Sequence, residues 1–166
     1  MAANKKPRKK YRPKGQWASP MEYVKENLSI LSEWDPDYVR EIRLKDHSAM
    51  VAVQQGTATR KDMDFISATY NVVFALWKIL ELPDEAKGEM ARTLYMANHA
   101  FTQACARANE IKRVVCNAEE LRAFNDLIAL NDNLLDVVTV KQWGDALLWA
   151  KNHAYKTKAN KEGVPA

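Results

Sequence analysis

The chain has 166 residues, 47% of them apolar, with five Trp, six Tyr and four Phe; this suits one globular domain with a real core and excludes a wholly disordered chain. Five Gly and six Pro are too few turn formers for an all-β protein. The net charge of +4 joins unlike parts: residues 1–14 hold seven Lys and Arg and no acid, whereas residues 15–150 hold 14 Lys and Arg against 20 Asp and Glu, about −6.

Residues 1–16 read as a disordered basic arm, polar and interrupted by Pro7, Pro13 and Gly15. In ASPMEYVKENLSIL, Ser19 suits a cap, Pro20 the first helical position and Glu22 a capping box, which predicts a short helix to about Leu31. A second helix is expected from Asp35-Pro36 to Gly56, with RLKDH as a place where it kinks or splits.

Thr59 and Asp62 open a third helix. Its positions Met63, Ile66, Tyr70, Val73, Trp77 and Leu80 step by three and four, Phe65, Val72, Leu76 and Ile79 widen the stripe, and Pro83 ends it. That breadth predicts a central, mostly buried helix. The fourth helix begins at Asp84, with Met90, Leu94, Ala97, Phe101, Ala104, Ala108, Ile111 and Val115 on one stripe. Asn117 with Glu120 opens the fifth, with Leu121, Phe124, Leu127, Ile128, Leu134 and Leu135 inward. Thr139 with Gln142 opens the sixth, whose stripe is Val140, Trp143, Leu147, Ala150 and Ala154. The pattern is all-α: an antiparallel bundle of five to six helices with a disordered basic N-terminal arm. The divisions are 1–16 for the arm, 17–155 for the bundle and 156–166 for a flexible polar tail.

Residues with catalytic or metal-binding chemistry do not fall into a known pattern. The glycines are isolated, so no phosphate loop is built. There is no HExxH, CxxC or Glu-x-x-His, and His47, His99 and His153 fall on three different helices. The run Leu130 to Asp136, LNDNLLD, lacks the glycine and terminal glutamate of a calcium loop and reads as the polar face of the fifth helix. Asp46, His47 and Ser48 are adjacent on a helix and point apart, so they form no triad. Trp77, Phe101, Trp143 and Trp149 lie on helical stripes and read as core. No metal and no cofactor is expected.

Cys105 and Cys116 do not make a disulfide framework. On one helix they would stand roughly 16 Å apart along the axis, too far to bond, which fits a reducing cytosol. The basic start is not followed by an apolar stretch of the secretory kind, and VVFALW, the longest apolar run, is too short to cross a bilayer.

The arm carries the clearest chemistry. Lys5, Lys6, Arg8, Lys9, Lys10, Arg12 and Lys14 suit the phosphate backbone of DNA or RNA, and Tyr11 among them suits stacking on bases. Trp17 is expected to staple the arm to the bundle. A nuclear-import signal, a membrane contact and a solubilising leader are the competing readings of the same charges; the membrane contact has no lipidation motif beside it.

The segments KKYRPKG, SPMEYV, LKDHSAMVAVQQGTATRKDMDFISATYNVVFAL and LNDNLLDVVTVKQWGDAL resemble small all-helical proteins encoded by phages and prophages of Gram-negative bacteria. The resemblance covers most of the chain. It implies a bacterial host cytoplasm, which removes the nuclear-import reading, and it brings no assigned activity and no catalytic residue. Within it, HSAMVAVQQGTATRKDMD reads as a packing corner: the helix after Thr59 is too apolar beyond Arg60 and Lys61 to be a DNA-reading helix.

The expected function is that of a non-enzymatic accessory or regulatory protein touching nucleic acid, or a nucleoprotein complex, through the arm, assisted by the C-terminal lysines. The alternatives are an inhibitor of a host protein acting through the acidic body, a homo-oligomer joined along its apolar seams, and a phage structural or assembly subunit.

Overall fold

The computed structural model describes residues 27–161. They form an all-α bundle of six helices: α1 (Leu31–Trp34), α2 (Pro36–Gln54), α3 (Arg60–Ile79), α4 (Asp84–Ile111), α5 (Ala118–Leu135) and α6 (Val140–Lys161).

The helix starts follow the side chains that cap them. Asp35 Oδ1 accepts from Tyr38 N at 2.9 Å, with Pro36 in the first turn of α2. Thr59 and Asp62 form a reciprocal capping box on α3, and Asn117 and Glu120 another on α5. At α6, Thr139 N donates to Gln142 Oε1 at 2.9 Å and Gln142 N to Thr139 Oγ1 at 3.2 Å. Each such cap satisfies backbone N–H groups that have no partner within the helix, which is worth about 1 kcal/mol. Gly56, at φ +66°, turns the chain from α2 towards α3.

Helix α3 packs against α2, α4, α5 and α6 and is the centre of the bundle. Ile66, Val73, Ala75 and Leu76 on it are fully buried. They meet Phe124, Leu127 and Leu135 of α5, which are equally inaccessible. Burial of side chains of this size contributes roughly 1.5–3 kcal/mol each. Small residues Ala97, Ala100 and Ala104 are the buried stripe of α4, and α4 lies along α5. There Phe101 packs on Phe124 with centroids 4.7 Å apart.

Several expectations need correction. Most of the helix expected to end at Leu31 lies outside the described residues. Within them, Asn27 and Leu28 are helical, but Ile30 is extended and pairs with Thr139 as an antiparallel bridge. Leu31 N donates to Val138 O at 2.9 Å and Val140 N to Ser29 O at 3.0 Å, so this segment clasps the α5–α6 junction. RLKDH neither kinks α2 into two nor ends it; the helix runs unbroken for 19 residues.

Helix α3 ends at Ile79, before Pro83, and Pro83 is the residue that precedes α4. The stripe of α4 is buried only as far as Ala104: Ile111 and Val115 are exposed, because α4 stops at Ile111 and Lys112 turns left-handed at φ 55°. Helix α6 continues to Lys161, past the bound expected near Tyr155.

Candidate functional site

Three polar residues occupy positions that helical periodicity reserves for the core. On α2, Asp46 falls in line with Val39, Ala49, Met50 and Val53; on α3, Thr69 falls between Ile66 and Val73; on α5, Asn131 falls between Leu127 and Leu135. Packing α2, α3 and α5 together brings all three into contact. Thr69 Oγ1 donates to Asp46 Oδ1 at 2.7 Å, and Asn131 Nδ2 donates to Asp46 Oδ2 at 3.0 Å. Asp46 is 3% exposed and Asn131 1%.

Burial pushes the Asp46 carboxyl above its ordinary range, because a charged carboxylate is poorly solvated there. The hydrogen bonds from Thr69 and Asn131 pull it back; the Asp132 charge adds to the rise and His47 opposes it. The Asn131 Oδ1 atom is buried and accepts no hydrogen bond among the described residues.

An outer ring of charge borders this trio between α2 and α5. Arg43 Nη2 donates to Asp136 Oδ2 at 2.7 Å and to the backbone oxygen of Asp132 at 3.0 Å. His47 Nε2 lies 2.9 Å from Asp132 Oδ2. The second Asp132 oxygen, Oδ1, is buried without a hydrogen bond, 3.5 Å from Arg43 Nε. His47 thus reaches across to α5 while Asp46 points into the core, and the two neighbours serve different networks. LNDNLLD, expected as a polar face, is split: Asn131 is core and Asp132 half-buried.

Above the trio an open cleft of about 150 Å³ separates α2, α3 and α6. Asp46, Thr69 and Asn131 are at its floor. Phe65 and Val72 of α3 and Trp143 and Leu147 of α6 line its walls, and Tyr38 and Lys45 its rim. Trp143 Nε1 donates to the Tyr38 hydroxyl at 3.3 Å across the rim, and Lys45 Nζ is held by Glu41 at 2.7 Å.

A second cluster ties the end of α4 to the start of α5. Arg107 grips Glu120 through both carboxylate oxygens at 2.8 Å and also donates to Val115 O at 2.6 Å. The Arg107 hydrogen bonds hold the Glu120 carboxyl below its usual range against the opposing effect of burial. Cys116 lies beyond α4 in the connection to α5, not on one helix with Cys105, and both cysteines are free thiols. Burial pushes the Cys116 thiol up to about 11; Cys105 is exposed.

The residues expected to touch nucleic acid, Lys5, Lys6, Arg8, Lys9, Lys10, Tyr11, Arg12 and Lys14, lie outside the described residues, as does Trp17. Of the aromatic residues expected in the core, Trp143 is buried and Trp77, Phe101 and Trp149 pack against it from its edge. The Asp46–Thr69–Asn131 trio escaped the sequence reading. Its signal was an acid, a hydroxyl and an amide at core-stripe positions of three separate helices. Among the described residues no group of three or more His, Cys, Asp and Glu could hold a metal ion, and no helix is long and apolar enough to cross a membrane. Comparison of the chain with protein-family models, with curated proteins and with solved structures yields no match.

Proposed function

We propose that the protein is a non-enzymatic accessory or regulatory factor, of the phage-encoded kind its sequence resembles, acting in a bacterial cytoplasm. It contacts nucleic-acid phosphates through Lys5, Lys6, Arg8, Lys9, Lys10, Arg12 and Lys14, with Tyr11 stacking on unpaired bases. The observation that carries this reading is the segregation of charge: seven cations and no acid in residues 1–14, against a body of about −6. The bundle adds support, because many of its cations are engaged by its own groups. Arg40 pairs with Asp37, Arg43 with Asp132 and Asp136, Lys45 with Glu41, Arg107 with Glu120 and Lys141 with Asp145. Arg113 donates twice to Gly56 O. Positive charge in excess of negative is therefore concentrated at the N-terminal segment.

The test compares the full chain with a version lacking residues 1–15, on labelled duplex DNA, single-stranded DNA and RNA over a range of salt. Seven phosphate contacts to duplex predict that log K falls against log salt with a slope of roughly −6, and that truncation abolishes binding. Binding that survives truncation, or a flat salt response, refutes the proposal.

A second reading is docking on a host protein through the body, whose residues 15–150 carry a charge of about −6. It predicts that the truncated chain still binds one defined host protein with stoichiometry and affinity equal to those of the full chain.

A further inference from the structure

The cleft has apolar walls and an acidic floor. Three observations define what fits it. Asp46 is a buried carboxylate whose hydrogen bonds come from neutral groups, Thr69 and Asn131, and no ion pair reaches it among the described residues. Asn131, which lines the cleft and is 1% exposed, turns its Nδ2 to Asp46 and leaves Oδ1 without a donor. The floor therefore offers a carboxyl group and a free amide oxygen, and its donors, Thr69 Oγ1 and Asn131 Nδ2, are already turned to that carboxyl. The volume, about 150 Å³, is that of a cavity that takes up a single aromatic ring.

We infer that this cleft binds a small organic ammonium, an amine borne on one ring or a short branched chain. Its N–H groups donate to Asn131 Oδ1 and to the Asp46 carboxylate, and its apolar part lies between Phe65, Val72, Trp143 and Leu147. The aromatic walls add contact area for the apolar part, which is where a Trp and a Phe side chain contribute most. A carboxylate or phosphate ligand is disfavoured at the same floor, because its oxygens would face Asp46 and Asn131 Oδ1 while Thr69 and Asn131 Nδ2 donate to Asp46 and the rim cation Lys45 is held by Glu41. The inference is independent of the N-terminal segment and stands or falls apart from the nucleic-acid reading.

The experiment is an NMR titration of the full ¹⁵N-labelled chain with benzylamine, benzyl alcohol and benzoate as probes, following the assigned Trp143 indole and Asn131 side-chain amide signals. Benzylamine is expected to shift both saturably in the millimolar range, as befits so small a ligand. Benzyl alcohol, a neutral donor, is expected to bind at least about tenfold more weakly, and benzoate not at all. Asp46→Asn is expected to weaken benzylamine by a similar factor. Should that variant fail to fold, Ala68→Phe decides: Ala68 is exposed at the rim, so the larger ring closes the cleft without disturbing the core. No saturable shift would mean that the cleft holds only water and would overturn the inference. Equal affinity for the three probes, or undiminished binding to Ala68→Phe, would overturn it too.

Discussion

Replacing Thr69 by Val tests the buried trio at a single atom. The substitution preserves the side chain's shape and removes the hydroxyl that donates to Asp46 Oδ1 at 2.7 Å. The same hydroxyl lies 3.2 Å from Phe65 O, but that oxygen keeps its place in α3 without it. The loss is thus confined to Asp46. A hydrogen bond to a charged group is worth about 1.5–3 kcal/mol, and the carboxylate here is buried and keeps only Asn131 as donor. Thr69→Val is expected to cost about 2 kcal/mol at neutral pH, or about 4–8 °C in Tm for a domain of this size.

The pH dependence follows from the direction of the Asp46 shift. Its folded-state carboxyl titrates above its ordinary value of 3.8, so the folded protein holds the proton more tightly than the unfolded chain. Asp46 therefore lowers stability as pH rises from 3.8 through its folded pKa, and below 3.8 the penalty is absent. Removing the Thr69 hydroxyl raises the folded pKa further, so the window widens upward and the penalty deepens. The cost of Thr69→Val should grow across that window and shrink, on acidification, to that of a hydrogen bond between neutral groups, about 1 kcal/mol. Urea unfolding of wild type and variant at a series of pH values measures it, with unchanged m as the check that the unfolded state is the same. Thr69→Ser, which keeps the hydroxyl, should remove the pH dependence of the difference. A cost below about 0.5 kcal/mol, or one that does not vary with pH, would refute the claim that Asp46 is held as a carboxylate by this bond.

Three further outcomes are expected. Glu120 titrates below its ordinary range in the folded state, so its contribution is present above 4.5 and lost as pH falls through the folded pKa; Arg107→Met should flatten the acid side of the Tm–pH curve while leaving its alkaline side in shape. Iodoacetamide at mildly alkaline pH should label Cys105, which is exposed, well before Cys116, whose thiol is pushed up to about 11, as peptide mass spectrometry would show. Gly56→Ala should destabilise by about 1 kcal/mol, since φ +66° is costly for an L side chain and the added Cβ would come within 3.2 Å of Arg113 Nη2; urea midpoints decide it.

What was legible in the sequence was whatever local chemistry decides. Caps at Thr59, Asn117 and Thr139 are legible from residue types three apart and that at Asp35 from the Pro36 beside it, and each is present with its hydrogen bonds. The inward residues of α5 were read from period alone, and Phe124, Leu127 and Leu135 are all fully buried. Errors arose where a distant segment decides. Ile30 leaves the helical path because Thr139, over a hundred positions away, offers its backbone a partner. Val115 continues the spacing of the α4 stripe, but the helix has already ended when the chain turns at Lys112.

The buried trio was missed for a different reason. Each member, taken alone, obeys a local rule: Asp46 follows a lysine and precedes a histidine in a charged stretch, Thr69 sits in a run of small residues, and Asn131 belongs to a string of polar residues. Only the register of each with its apolar neighbours marks it as inward. A buried acid is costly unless donors meet it, so an acid on a core stripe implies donors on the stripes that face it. That inference could not be drawn before the neighbours of α2 were known. Once α3 and α5 are seen to be those neighbours, Thr69 and Asn131 are the polar members of their buried stripes nearest the level of Asp46, and both donate to it. A Leu at position 46 would remove the desolvation cost but leave Asn131 Nδ2 buried without its acceptor, so only apolar replacement of the trio together escapes the cost of an unmet donor. The three polar groups therefore stand or fall as a unit, which is why their signal lies in three helices at once and in none of them singly.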